Sequence, residues 1–139
     1  LFEKISTYFN HNLKGLKIAV WGLAFKPNTD DIREAPALYV IDALLNAGAH
    51  ISVFDPEAMD NVKKIYGDKL SYTDNAYAAA KDANALAIIT EWSEFRNPDF
   101  ERLASLMADK IIFDGRNVYE LEQMAETGFH YESIGREII

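Results

Sequence analysis

The residues best suited to chemistry lie in residues 22–36, which read Gly-Leu-Ala-Phe-Lys-Pro-Asn-Thr-Asp-Asp-Ile-Arg-Glu-Ala-Pro. Lys26 and Arg33 place two permanent cations in a chain whose net charge is −8. Such cations neutralise phosphate, and an arginine does so through two parallel hydrogen bonds. Phe25 stands beside Lys26 and is available to stack on or line a planar ring. The segment therefore indicates an anion site with an aromatic neighbour.

The same segment has a simpler interpretation, in which its acids partner its cations. Asp30, Asp31 and Glu34 are close in sequence to both cations, and Thr29 can join the two aspartates in capping the loop. Adjacent carboxylates also suit a magnesium ion. A phospho-receiver domain carries paired acids after its first strand as well, but it needs an acceptor aspartate and a lysine after later strands, and neither stands at its place here. We favour capping over these two sharper alternatives.

Two later segments are expected at the same edge of the fold. Thr90-Glu91-Trp92 and Asp114-Gly115-Arg116-Asn117 each follow an apolar run. Gly115 is expected to let the chain turn sharply, and Arg116 to become the third cation of one convergent anion pocket. Taken alone, the second segment is an ordinary turn with a solvated arginine, and it becomes part of an anion pocket only together with Lys26 and Arg33. Trp92 is either an aromatic at the pocket rim or a cap on the core.

Composition and spacing exclude several other chemistries. The 139 residues contain no cysteine, which removes disulfides, thiolate zinc sites and a cysteine nucleophile. The three histidines show no metal-ligand spacing, and no serine stands in a nucleophile elbow. Asp55 stands where a ribose-binding acid can lie, but a helix N-cap already explains it. Because the acidic chain has no basic block and no apolar run long enough to span a bilayer, we expect neither nucleic acid nor a membrane as partner.

Alternating apolar runs and helical segments predict the elements that position these loops. Buried strands are predicted at 18–22, 51–54, 71–72, 85–89 and 111–113, with a sixth at 129–131. Helices are predicted at 37–46, after Asp55-Pro56-Glu57, at 75–80 with Thr73 as cap, from Asn97-Pro98, and at 121–126. The pattern is typical of an α/β, Rossmann-like three-layer sandwich with an open, mainly parallel sheet of five to six strands.

The expected strand order also indicates where a ligand would bind. With the order 3-2-1-4-5, the order reverses between the first and fourth strands, and ligands bind beyond the carboxyl ends of the strands there. A dinucleotide site would place G-x-G-x-x-G after the first strand, but here one glycine is followed by about a dozen residues before the helix. We therefore reject this domain as the main dinucleotide site despite its predicted fold.

Three motifs together resemble the C-terminal UDP-binding domain of the UDP-glucose/GDP-mannose dehydrogenase family. They are residues 22–36, 90–92 and 113–117, and they follow the family's order within residues 13–139. Phe25-Lys26 and Thr-Glu-Trp are more similar to the UDP-glucose branch than to the UDP-N-acetylmannosamine or GDP-mannose branches. The resemblance implies that Phe25, Lys26 and Arg116 contact the UDP-sugar. It also implies that Arg33 reaches the NAD of the same active site across a domain interface.

The resemblance further implies a three-part parent enzyme. An N-terminal Rossmann domain binds most of the NAD, a central helical domain forms dimers and supplies a cysteine for a covalent intermediate, and the UDP-binding domain completes the site. Such an enzyme oxidises the C6 alcohol of UDP-glucose to a carboxylate with two NAD. We expect a cytoplasmic parent that is a homodimer or larger, with no catalytic residue and no metal ligand in the present chain.

The beginning of the chain fits a fragment of such a parent, because it starts with Leu rather than Met. Residues 1–14 are expected to be the end of a central-domain helix or linker, and residues 15–139 the UDP-sugar-binding domain. An N-terminal helix that packs on this domain is the alternative. We expect the fragment to be inactive alone and able to stay monomeric. The competing functional hypothesis is a non-catalytic nucleotide-sensing or interaction module with the same fold.

Overall fold

The computed structural model describes all of Leu1–Ile139 and contains one six-stranded sheet with every neighbouring pair parallel. The strand order is β3-β2-β1-β4-β5-β6. The strands are β1 (Lys17–Trp21), β2 (His50–Phe54), β3 (Ser71–Tyr72), β4 (Ala85–Ile88), β5 (Ile111–Asp114) and β6 (His130–Glu132). The predicted fold class and strand order are confirmed, and the switch point lies between β1 and β4.

Six α-helices connect the strands and flank the sheet. They are α1 (Phe2–Tyr8), α2 (Pro36–Asn46), α3 (Met59–Tyr66), α4 (Ala76–Ala80), α5 (Phe100–Leu106) and α6 (Leu121–Ala125), with short 3₁₀ turns at Gly67–Lys69 and Ser93–Phe95. None of the helices combines the length and apolar character that crossing a membrane requires.

The core lies on both faces of the central strands, because all residues of β4 and β5 are buried. It contains 39 buried hydrophobic residues. Aromatic rings fill one face near the carboxyl ends of the strands, where Trp21 stacks on Phe95 with ring centroids 5.1 Å apart. Because helices cover both faces of the sheet, only the loops at the strand ends are open to a ligand, and the candidate site lies in these loops.

The structure corrects two predicted helix starts. α4 is capped by Asn75, whose side chain accepts the amide three residues on, whereas Thr73 donates its hydroxyl to a carbonyl of β2. α5 begins at Phe100 behind the cap Asp99, not at Asn97-Pro98. In both cases a side-chain oxygen nearer the helix satisfies the free amide of the first turn, which fixes the start.

The N-terminal segment packs on the sheet domain. Ile5 is fully buried and Leu13 belongs to the core. The Tyr8 ring lies 4.4 Å from the ring of His130 in β6. The structure thus shows the packing that was the alternative for residues 1–14, while their assignment to a preceding domain stays a prediction.

Candidate functional site

Asp55 caps the turn that leads from β2 to α3. Its Oδ1 accepts the amides of Glu57 and Ala58, each at 2.8 Å. The predicted helix start at Asp55-Pro56-Glu57 is wrong, because these residues form a turn that Asp55 caps and α3 begins only at Met59. Asp55 is completely buried, and the two capping bonds use only one of its two carboxylate oxygens.

The second oxygen of Asp55 faces the other two loops of the switch point. Oδ2 accepts the amides of Leu23 at 2.7 Å and Ala24 at 3.0 Å. It also accepts the indole N–H of Trp92 at 3.0 Å. Trp92 is therefore the buried alternative of the two that the sequence left open. Sequence reasoning missed this role, since the donors come from 31 to 37 residues away.

The start of the β1 loop is closed to a dinucleotide. Gly22 has φ +97°, and a Cβ built there would lie 2.5 Å from the Thr90 Cβ. The Thr90 hydroxyl donates to the Ala24 carbonyl at 2.6 Å. The space over the glycine is thus filled by Thr90, and the two amides that a pyrophosphate would use are bonded to Asp55. This loop does not fit NAD, in agreement with the missing glycine-rich motif.

Phe25 and Lys26 project from the loop immediately beyond this locked part. The Phe25 amide donates to the Asp31 carbonyl at 3.0 Å, yet 42 % of the residue is exposed. The Lys26 ammonium lies 5.3 Å from the centre of the Phe25 ring, within range of a cation–π contact. Lys26 has no carboxylate within ion-pairing distance in this structure. The loop therefore presents an aromatic face and an unpaired cation together.

Arg33 is held within its own loop by Asp31. Its Nε and Nη2 donate to the two carboxylate oxygens at 3.0 and 2.7 Å, and its amide donates to Oδ1 at 2.9 Å. The Arg33 side chain is nevertheless 88 % exposed. The hydrogen bonds from Arg33 lower the pKa of Asp31 to about 2, and the same contact raises the pKa of Arg33. The expected pairing inside the loop is thus found for Arg33 but not for Lys26.

The two aspartates of this loop make contacts that hold the loop. Thr29 accepts the Asp31 amide at 3.2 Å, as the capping interpretation predicts. Asp30 contacts α3 through its carbonyl oxygen, which accepts the Asn61 side-chain amide at 2.9 Å. Nowhere in the chain do three His, Asp or Glu side chains converge as metal ligands. The pair is used for loop structure.

A second buried carboxylate, Asp114, organises the loop after β5. Its Oδ1 accepts the Arg116 amide at 3.0 Å, and its Oδ2 accepts the amides of Val118 at 2.7 Å and Tyr119 at 3.2 Å. The Tyr131 hydroxyl of β6 donates to the same Oδ2 at 2.6 Å. Burial, with the charge of Asp114, raises the pKa of Tyr131. The backbone of Arg116 is therefore fixed to the end of β5.

The turn after β5 differs from its prediction in one respect. The residue with positive φ is Asn117, at +53°, and not Gly115. Gly115 is needed for close packing, since a Cβ there would lie 3.1 Å from the Ile88 carbonyl oxygen and 3.2 Å from Leu1 Cδ2. Asn117 also exchanges two hydrogen bonds with the backbone of Ile134, at 2.9 and 2.8 Å. Its amide side chain supplies both the tolerated φ and the anchor.

Arg116 points across the strand ends, as predicted, and meets Glu91 of the β4 loop. Nε donates to Oε2 at 2.7 Å, and Nη2 lies 2.5 Å from the same oxygen. The Arg116 side chain is 45 % exposed. It borders a cavity of about 350 Å³ that has apolar walls from Leu1, Tyr39 and Ile134. A cation and an apolar surface are thus adjacent there.

The three cations share the carboxyl edge of the sheet but do not line one pocket. Arg116 borders the cavity just described, whereas Lys26 and Arg33 border none of the four cavities in the chain. Arg33 pairs with Asp31 and Arg116 pairs with Glu91, so the cations do not converge on one pocket as predicted. An anion that bridged Lys26 and Arg116 would need further groups to enclose it.

These features define a class of protein, namely a doubly wound parallel α/β domain whose ligand edge has exposed cations but no dinucleotide loop. The family model described as "UDP-glucose/GDP-mannose dehydrogenase family, UDP binding domain" matches residues 19–121. The chain therefore belongs to the UDP-glucose/GDP-mannose dehydrogenase family and contains its UDP-binding domain.

Relatives and solved structures agree with this assignment. The chain is 50 % identical over 134 residues to UDP-glucose 6-dehydrogenase from Rhizobium meliloti, covering 96 % of the chain and 30 % of that protein. It is 43 % identical to UDP-glucose 6-dehydrogenase from Pseudomonas aeruginosa, covering 98 % and 31 %. The chain spans about a third of the length of these relatives.

Among solved structures, a UDP-glucose dehydrogenase from Pyrobaculum islandicum matches with TM-score 0.77 and 30 % identity, over 94 % of this chain and 28 % of that one. An NDP-N-acetyl-D-galactosaminuronic acid dehydrogenase from Methanosarcina mazei matches with TM-score 0.80 and 28 % identity, over 97 % and 28 %. The same fold thus occurs in enzymes named for different nucleotide sugars.

Proposed function

We propose that this domain binds the UDP-sugar in an NAD-dependent UDP-glucose 6-dehydrogenase, which oxidises UDP-glucose to UDP-glucuronate with two NAD. The relatives at 50 and 43 % identity that bear this enzyme's name support the choice of sugar. The domain contributes binding and orientation rather than a reacting group. Binding energy from the nucleotide then holds the sugar in position for oxidation.

The placement of Arg116 is the observation that carries the proposal. Asp114 fixes its backbone, and Glu91 orients its guanidinium through Nε and Nη2. Nη1 forms no hydrogen bond within the chain, and the half-exposed side chain borders a cavity. A guanidinium held from behind with a free edge is suited to a diphosphate, which it meets with two parallel hydrogen bonds.

Phe25 and Lys26 complete the proposed contact with the UDP-sugar from the β1 loop. Lys26 supplies the second positive charge, and the exposed ring of Phe25 supplies an apolar surface next to it. Both residues directly follow Ala24, whose amide and carbonyl are held by Asp55 and Thr90, so their backbone is ordered before a ligand binds. A rigid pair loses less entropy on binding than a mobile one.

Arg33 is proposed to contact NAD held by another part of the parent enzyme. Its large exposed fraction suits a contact outside this domain. NAD serves as the oxidant, and it is bound mainly by the N-terminal domain of the parent, since the β1 loop described above does not fit a dinucleotide. The parent is proposed to be a cytoplasmic homodimer or larger assembly, and the 139-residue chain alone to be monomeric and inactive.

Calorimetry of the full-length enzyme with UDP-glucose, UDP-N-acetylmannosamine and GDP-mannose tests this proposal. We expect the tightest binding and NADH formation with UDP-glucose, and weak UDP binding at most by the 139-residue chain. Arg102→Ala, which removes an exposed arginine of α5 that belongs to none of the three site loops, is a control for loss of charge. Preference for another nucleotide sugar would contradict the substrate, and NADH formation by the 139-residue chain would contradict its inactivity.

A further inference from the structure

We propose that Asp55 is a positioning residue of the UDP-sugar site, an internal anion that holds the Lys26-bearing loop in its binding conformation before any ligand arrives. This inference rests on the proposed function for its ligand, but the contacts on which it depends lie entirely within this chain. Asp55 touches no substrate and acts only through the loop.

The first argument is the number and origin of its hydrogen bonds. Five N–H groups converge on the two oxygens of a fully buried side chain, at distances between 2.7 and 3.0 Å. They come from three separate segments, namely the β1 loop, the β2–α3 turn and the β4 loop. All five are donors, so a side chain with hydrogens of its own at either oxygen would oppose at least one of them. The position requires an ionised carboxylate.

The second argument is where this carboxylate stands. In a nucleotide-binding domain of this fold, the first amides after β1 receive a phosphate and the acid at the end of β2 reaches a ribose. Here the acid at the end of β2 bonds those amides itself, those of Leu23 and Ala24. The carboxylate therefore occupies the place of the external anion.

The consequence for Lys26 follows from chain geometry. Lys26 lies two residues after Ala24, whose amide is bonded to Asp55 and whose carbonyl is bonded to Thr90. Phe25 between them is tied by its amide to the Asp31 carbonyl. The backbone on which the ammonium depends is thus fixed in the ligand-free protein. Loss of the Asp55 charge releases it, and the UDP-sugar must then order the loop on binding.

Amide hydrogen exchange in the 139-residue chain tests the structural part. In Asp55→Asn we expect the Leu23 and Ala24 amides to exchange at least tenfold faster than in the wild type, relative to amides of β4. The control Asp99→Asn removes a carboxylate that caps α5 far from this loop, and it should leave the ratio unchanged. Unchanged Leu23 and Ala24 exchange in Asp55→Asn overturns the inference.

A milder variant is needed if Asp55→Asn unfolds the whole domain, because all amides then exchange at the same increased rate. Trp92→Phe keeps a buried aromatic ring but removes one of the five donors, and with it the link from the β4 loop. We expect Ala24 exchange to rise several-fold in this variant while the β4 amides keep their protection. Equal exchange of Ala24 in Trp92→Phe and the wild type counts against the role of Asp55 as a link between loops.

Steady-state kinetics of the full-length enzyme separates this inference from the proposed function. Asp55→Asn should raise KM for UDP-glucose about tenfold and leave KM for NAD unchanged, whereas a purely structural defect would lower the active fraction and leave both KM values as they are. If Lys26→Ala raises KM for UDP-glucose but Asp55→Asn does not, the inference is wrong and the function stands. If neither Lys26→Ala nor Arg116→Ala changes KM, the proposed function fails, and the exchange result still decides the role of Asp55 in the loop.

Discussion

Two buried carboxylates organise the ligand edge of this domain in different ways. Asp55 gathers donors from three segments that are remote in sequence, and all its partners are N–H groups. Asp114 gathers three amides from the residues that follow it directly, and its one distant partner is the Tyr131 hydroxyl. Asp55 therefore links three separate segments, whereas Asp114 caps a single loop and has one additional hydrogen bond from β6.

The difference shows that the backbone around Arg116 is fixed by local contacts, whereas the backbone before Lys26 is fixed by contacts with distant segments. Arg116 sits on a turn whose geometry is encoded in its own few residues. Lys26 sits on a loop whose geometry depends on β2 and on the segment after β4. Disturbance of distant segments should therefore reach Lys26 more readily than Arg116.

The largest effect should come from breaking the local cap. Asp114→Asn places amide hydrogens either against the Arg116 amide or against the donors to Oδ2, which include the Val118 and Tyr119 amides. Leaving such buried polar groups unsatisfied should lower the free energy of unfolding by about 3 kcal/mol. Urea denaturation measures the change. The control Asp109→Asn alters an exposed carboxylate with a single side-chain partner, Asn84, and should stay within about 0.5 kcal/mol of the wild type. Equal stabilities of the two variants would contradict the assigned role.

The next effect compares the two displayed cations in the full-length enzyme. Arg116→Ala should raise KM for UDP-glucose at least about tenfold, since a hydrogen bond to a charged group contributes about 1.5–3 kcal/mol. Lys26→Ala should raise it less, because an ammonium makes a single-point contact where a guanidinium makes two. A KM that is unchanged in Arg116→Ala would remove that residue from the binding site.

A smaller effect on stability is expected at Asn117, in the loop that Asp114 caps. Asn117→Gly loses two hydrogen bonds to Ile134 but keeps the positive φ, whereas Asn117→Ala loses both the bonds and the tolerated conformation. We expect the alanine variant to be less stable than the glycine variant by about 1 kcal/mol. Thermal unfolding of the pair measures this difference directly. The reverse order would show that φ at this position is not a constraint.

The smallest effect concerns the exposed pair in the β1 loop. Arg33→Ala should raise the pKa of Asp31 from about 2 toward the ordinary aspartate value near 3.9, which a carboxyl NMR titration measures. Because the folded pKa is lowered, any stability from the pair is present above about pH 4 and is lost as pH falls through about 2. Melting at neutral pH should change little, because the Arg33 side chain is 88 % exposed and solvent screens its charge. A pKa that stays near 2 would assign the shift to another cause.

Much of the fold was predictable, because parallel strands buried on both faces leave continuous apolar runs such as Ala85–Ile89. The runs predicted the sheet, and chain order with right-handed crossovers predicted the central strand sequence. Helix starts were less certain where two capping residues compete, as Thr73 and Asn75 do. There the choice depends on whether a hydroxyl is already engaged by a neighbouring strand, and that is a tertiary contact.

The site was predictable only where it is local. The pairing of Arg33 with Asp31 and the turn after β5 follow from residues a few positions apart. The link from Asp55 to Leu23, Ala24 and Trp92 spans more than 30 residues, and its N-cap role concealed it. An acid at the end of β2, combined with a β1 loop that lacks its glycine motif, was the available signal. The sharp turn was assigned to Gly115 because glycine is the usual residue at positive φ, whereas the structure places the positive φ at Asn117.

The strand order has a consequence for how the chain reaches its native state. β1 lies at the centre, and its junction with the start of β4 already joins Lys17 to Asn84, 67 positions apart. β1 can pair with β4 only after the chain has passed through β2 and β3. The long loop between β1 and β4 therefore has to be closed, and this closure costs conformational entropy before the pairing stabilises the sheet. Parallel sheets of this kind fold slowly compared with helical bundles, whose contacts are mostly local. β5 and β6 are synthesised after the four strands β3-β2-β1-β4, so the turn that carries Arg116 is added at the side of the sheet that is made last.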